Sequence, residues 1–249
     1  MLPGNFASLM IVTRRELGAY FATPLAYVFL VVFLVLSGFA TFELGGFYQR
    51  NQADLVTFFS YHPWLYLYLV PAISMRIWSE ERKSGSIELL LTLPLRLSTT
   101  VLAKFLAAWF FIGLALLLTF PLWITVNYLG NPDNGAILAA YLGSWLMAGA
   151  FLSIGCCLSA ASKNQVVAFV LSVSACFLFV LLGMPQLLQV IDGVLPQKMV
   201  DGIAQLSLLT HFDAISRGVL DVRDLLFYLY FIACWLVATA IVIEQKKAE

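Results

Sequence analysis

Two histidines and four cysteines are the strongest metal-ligating and nucleophilic side chains in this sequence, and their spacing decides what they can do. His62 and His211 lie far apart with no ligand-spaced companion, which gives a metal site little support. Cys156, Cys157, Cys176 and Cys234 fall inside apolar runs, where a thiol behaves as a small hydrophobe, and their spacing fits neither zinc ligands nor a disulfide framework. No GxxxxGK[ST] phosphate loop occurs. None of the polar stretches is long enough to hold a nucleotide-binding domain, so ATP hydrolysis would have to come from another polypeptide. The centres of the apolar runs carry no Asp, Glu, Lys or Arg; Glu43 and Arg76 stand near their ends. Ion-coupled carriers commonly place ionisable groups there, and an intramembrane hydrolase would need carboxylates or a nucleophile beside a base.

Three polar clusters remain. Arg14, Arg15 and Glu16 stand together near the N-terminus, and Glu80, Glu81, Arg82 and Lys83 precede Gly85. The third holds His211, Phe212, Asp213, Arg217, Gly218, Asp221 and Asp224. In that cluster Thr210 and Asp213 have the spacing of a capping box, and Asp221 or Asp224 can cap the helix that follows. Caps and local ion pairs are its plainer chemistry.

The elements that position these clusters follow from composition. Hydrophobic residues make up 61% of 249 positions and charged residues 11%. A soluble domain carries about 25% charge to keep its surface wetted, so most of this surface must face lipid. Net charge is zero, which gives no nucleic-acid footprint. Runs of about 20 apolar residues cross a bilayer as helices. The spacing predicts six, at Leu25–Glu43, Phe58–Ile77, Phe105–Tyr128, Ala136–Ala161, Val166–Leu187 and Leu225–Ile243. The fold class is therefore an all-α polytopic membrane protein.

Six spans put both termini on one side, together with Arg14, Arg15, Arg76, Arg82, Lys83, Arg96, Lys104, Lys163, Lys246 and Lys247. Only Arg50, Lys198, Arg217 and Arg223 fall opposite, so the positive-inside rule places both ends in the cytoplasm of a bacterial inner membrane. Tyr48, Tyr61, Trp64, Trp123, Tyr128 and Tyr141 are expected at the outer interface and Trp78 at the inner one. A cleaved signal peptide is not expected, because Arg14 and Arg15 interrupt the N-terminal region.

Outside the spans, Phe6–Phe21 reads as an amphipathic interfacial helix (the segment 5–22). Phe6, Leu9, Met10, Leu17, Tyr20 and Phe21 share its apolar face, with Ser8 and Arg15 opposite. The largest cytoplasmic loop, 79–100, contains Ser86, Ile87, Glu88, Leu89, Leu90 and Pro94. Their pattern predicts a greasy short helix that Ser86 can cap and Pro94 stops. Such a helix either folds back on the spans or the lipid interface, or docks in a groove on a cytosolic partner. The segment 188–224, with Gly193 and Pro196, reads as short helices at the outer leaflet. The fourth span carries Gly143, Ser144, Ala148, Gly149, Ser153, Gly155 and Ser159, which suit close helix approach either within one subunit or at a dimer seam.

Three segments, RRELGAYFATPLAYV (14–28), SEERKSGSIELLLTLPL (79–95) and LLTHFDAISRGVLDVRDLLFY (208–228), resemble permease subunits of the type 2 ABC exporters, most closely the gliding-motility-type branch. The resemblance runs nearly from end to end. It implies one permease domain over 1–249 that pairs with a second permease, as homo- or heterodimer, among membrane lipids. The pair would sit on cytosolic ABC ATPase subunits, which would bind the ATP and Mg, leaving this chain without a cofactor or enzyme activity of its own. The 5–22 helix would be the family's elbow helix, and Ser86–Leu93 its coupling helix, flanked by Glu80 to Lys83. The 188–224 segment would be the outer helices between the fifth and sixth spans. A membrane scaffold for an envelope or motility complex, and an ATP-independent carrier, are the competing readings; the cargo is not specified by these motifs.

Overall fold

The computed structural model describes residues 5–85, 87, 96–192 and 196–246. Backbone groups in apolar surroundings must bond internally, and the described residues are accordingly 83% helical, with no strand among them. Helix α1, Asn5–Phe21, ends in a turn at Thr23, and Pro24 supplies the fixed φ that opens α2, Pro24–Phe39. A π-helical turn, Ala40–Leu44, extends α2 and closes through a 2.8 Å bond from the Gly45 N–H to the Ala40 carbonyl. Short α3, Val56–Ser60, leads into α4, His62–Ser84, which Gly85 terminates at φ +74°.

Helix α5, Leu97–Leu117, is interrupted before α6, Phe120–Leu129. Pro121 lacks the N–H that would continue the ladder, and at the break the Thr119 hydroxyl donates to the Leu116 carbonyl at 2.6 Å. Asp133 caps the longest helix, α7, Asn134–Ala161, and Asn164 caps α8, Gln165–Leu181. Three short helices follow: α9, Pro185–Asp192; α10, Gln197–Gln205; and α11, Leu208–Ser216. Asp221 then caps α12, Val222–Gln245, by accepting from the Arg223 N–H at 2.9 Å.

Among the described residues, four stretches are long and apolar enough to cross a membrane: Ala26–Leu44, Leu97–Leu129, Asn134–Ala161 and Val222–Gln245. The other two expected spans differ from the reading for definite reasons. The run from Phe58 to Ile77 breaks at Tyr61, and its helix then continues seven residues further, through Trp78–Ser84, with charges that lower its hydropathy. The run from Val166 to Leu187 turns at Leu182–Met184, which leaves the 17 residues of α8. Of the loop expected over 79–100, residues 79–84 belong to α4 and 97–100 to α5.

Helix α7 forms the centre of the bundle: 78% of its apolar window is buried, against 28% for the first crossing stretch and 22% for α12. Lipid tails are as apolar as leucine, so burial of grease does not hold helices together here; close packing and interhelical hydrogen bonds do. Both are present. A side chain at Gly155 would collide with Ser74 of α4, and a Cβ at Gly149 would stand 2.8 Å from the Trp109 indole of α5. The small-residue stripe of the fourth span is thus occupied inside this subunit. Trp109 and Trp145 stack at 4.2 Å, and each indole N–H donates to the other's carbonyl. Ser144 of α7 bonds His62 at 2.7 Å and Tyr66 at 2.8 Å on α4. Each such bond contributes about 0.6 kcal/mol in lipid, and several together fix one arrangement.

Two smaller expectations change. Trp78 does not belong to an interfacial belt: it is fully buried beneath Lys104. On α1, Ser8 and Val12 turn inward while Met10 and Ile11 are exposed, because the face bearing Glu16 and Tyr20 is drawn onto α5.

Candidate coupling site

The charged end of α4 is where three helices are pinned together. Lys104 lies seven residues into α5, about two turns, and is only 6% exposed. Its ammonium is 2.7 Å from Glu81 of α4 and 3.2 Å from Glu16 of α1, and it lies 5.4 Å above the Trp78 ring. Arg15 reinforces Glu16 at 2.6 Å from the exposed side, while Arg14 points to the exterior. Burial raises the Glu16 pKa, but Lys104 and Arg15 outweigh burial and hold the carboxyl below its usual range. One turn earlier on α4, Arg76 forks onto both carboxylate oxygens of Glu80, at 2.9 and 3.2 Å.

The same end of α4 is fastened to the C-terminus of α7. The Ser159 hydroxyl accepts from the Trp78 and Ser79 N–H groups at 3.2 and 3.1 Å, and donates to the Met75 carbonyl. Arg82 donates to the Ala160 carbonyl at 2.5 Å, and Lys246 of α12 to the Ala161 carbonyl at 2.9 Å. The last carbonyls of a helix lack intrahelical partners and carry its negative dipole end, so two cations there satisfy both requirements. Lys83 and Gly85 are exposed and Ile87 packs on the core. Of the residues expected to couple, Ser86, Glu88, Leu89, Leu90 and Pro94 lie outside the described residues, as do Gly193 and Lys247.

Between α1, α2, α4 and α5, against this ion cluster, lies a cavity of about 410 Å³. Arg76, Glu80 and Lys104 line one end, and Phe29, Val32 and Leu69 line the body.

The third cluster sits at the other end of α7. His211 Nδ1 is 2.6 Å from Asp224, its Nε2 faces the Gln205 carbonyl at 2.9 Å, and its ring stacks on Phe227 at 3.9 Å. Thr210 does not cap α11, as its spacing with Asp213 suggested; Ser207, three residues earlier, takes that role. Phe212 is in the core, Asp213 and Arg217 are exposed, and Gly218, at φ +84°, brings the chain against Ala136. Ala136 and Ala160 are 24 residues apart on α7, about 36 Å at 1.5 Å per residue. The hydrocarbon layer is about 30 Å thick, so the two clusters flank a membrane's width. From the sequence, Lys104 counted only as one more basic residue and Ser159 only as a small residue of the fourth span. A lone cation in VLAKFLAAW was the available signal for the first.

A family model described as ABC-2 family transporter protein matches residues 68–243, more than half of the chain and all of α5 to α11. No curated protein matches it.

Proposed function

The chain belongs to the ABC-2 transporter family, and from that premise we propose that it is the membrane half of an ATP-driven exporter. As a family member it is a permease component that works with an ABC ATPase subunit. In our reading the fold crosses the membrane six times, with α4 and α8 completing the four long stretches. Both termini lie in the cytoplasm of a bacterial inner membrane, and a second permease pairs with this one. ATP and Mg bind on the partner, this chain catalyses nothing by itself, and it groups with the gliding-motility-type branch.

The observation that carries the reading is the Lys104 cluster at the exit of α4. A cytosolic ATPase pushing on 86–95 would act at the end of a helix already tied to α1 through Glu16 and to α7 through Ser159 and Arg82. Packed helices shift as discrete units, so such a push is passed to the bundle rather than absorbed locally. A greasy helix seated in a partner's groove is a standard way to deliver it.

The test is co-purification in mild detergent. Wild type is expected to retain a stoichiometric ATPase, which Leu90→Arg and Glu88→Arg release while the chain stays membrane-inserted. Unchanged retention in both variants would reject the coupling assignment. ATPase activity stimulated by a transported molecule would separate an exporter from a scaffold.

A further inference from the structure

The cavity beside the ion cluster has a definite polarity. Along α4 its lining runs from Leu69 and Ile73 to Arg76 and Glu80, about 16 Å at the helical rise. Along α5 it runs in the matching sense, from Phe111 to Lys104. One end is therefore charged and the other apolar. Val28 lines the cavity and is also 56% exposed, so the opening lies on the loosely packed α2 side. The apolar end does not hold ordered water, and the cavity's volume is within the range of about 300–1,000 Å³ typical of ligand sites. In a membrane the molecule at hand is an acyl chain.

The headgroup follows from the rim. Lys104 is occupied by Glu16 and Glu81 and almost fully buried. Arg76 and Glu80, with side chains 35% and 52% exposed, are accessible, and they present one charge of each sign. Their mutual bond is a surface pair, which contributes about 0–1 kcal/mol and opens at little cost. A phosphate suits the guanidinium fork of Arg76 and a primary ammonium suits Glu80. A purely anionic head would be repelled by Glu80.

We propose that this cavity is a phospholipid site, holding one acyl chain of a zwitterionic, ammonium-bearing lipid whose headgroup bridges Arg76 and Glu80. The tail gains little by leaving the bilayer for another apolar surface, so selectivity resides in the headgroup. The site depends on the chain lying in a membrane and not on its being an exporter.

The experiment is native mass spectrometry of the full chain in mild detergent with equal dioleoyl phosphatidylethanolamine and phosphatidylglycerol. Wild type is expected to retain one phosphatidylethanolamine, preferred about fivefold, the worth of one accessible charge contact. Glu80→Gln, at an exposed position, should abolish the preference, and Ala72→Trp, which fills the cavity, should abolish retention. Wild-type protein without bound lipid, equal retention of the two lipids, or an unchanged preference in Glu80→Gln would each overturn the proposal. So would a second copy of the chain present in place of lipid.

Discussion

Lys104→Met is the perturbation that most directly probes how α1, α4 and α5 are held together. The substitution keeps length and apolarity but leaves Glu16 and Glu81, 18% and 22% exposed, facing each other without the ammonium between them. Removing one member of a buried ion pair costs about 3–5 kcal/mol, because the remaining charge is uncompensated. Arg15 still reaches Glu16, and both carboxylates touch solvent, so the low end, about 3 kcal/mol, is expected. At about 2–4 °C per kcal/mol for a chain of this size, the melting temperature should fall by about 6–12 °C. The assay is thermal unfolding in mild detergent with a thiol-reactive dye, since Cys156, Cys157 and Cys176 are buried and become reactive on unfolding. Adding Glu16→Gln and Glu81→Gln to Lys104→Met should restore most of the loss, as neutral replacement of a buried pair usually does. A single-variant loss below about 1 kcal/mol would assign the cluster to ordinary surface pairs. Failure of the triple variant to recover would show that the ammonium acts through packing on Trp78. Either result refutes the reasoning.

Gly155→Val should cost about 1–3 kcal/mol or prevent accumulation of folded protein, because its side chain collides with Ser74. Gly18→Ala, with open space around it in α1, should stabilise by about 0.5–1 kcal/mol in the same melt. His211→Ala removes a bond to Asp224 and one to the Gln205 carbonyl, and should cost about 2 kcal/mol. Limited proteolysis of the α10–α12 region should accelerate in parallel. Because Glu16 has a lowered folded-state pKa, its contribution is complete above the ordinary carboxylate value and is lost as pH falls through the folded one. Melting temperature should therefore drop in acid below about pH 4, and Glu16→Gln should flatten that drop.

The long apolar runs and the small-residue stripe of α7 were legible because lipid imposes length and close packing imposes small side chains. The continuation of α4 through Ser84 was not, since hydropathy ends at Ile77 while the helix is carried on by the Arg76–Glu80 pair and by Ser159 on another helix. Lys104 counted only as one more basic residue, because nothing local announces that Glu16 and Glu81, far off in sequence, converge on it. At Thr210 a capping pattern was present, but Ser207 met the same need one turn earlier. The His211–Asp224 contact joins residues thirteen apart, near enough for a local pair to be expected though not its geometry.

The central position of α7 also constrains how the molecule is made. Its inward faces are closed by α4 and α5, which precede it, but also by α12, which follows only after α8 to α11 have been synthesised. During translation the small-residue surface that receives Ile232 at Gly149 stays uncovered, and the Ala161 carbonyl waits for Lys246. The core is thus completed by a late segment rather than in chain order, and nascent chains arrested before α12 would present an unfinished helix surface to membrane quality control.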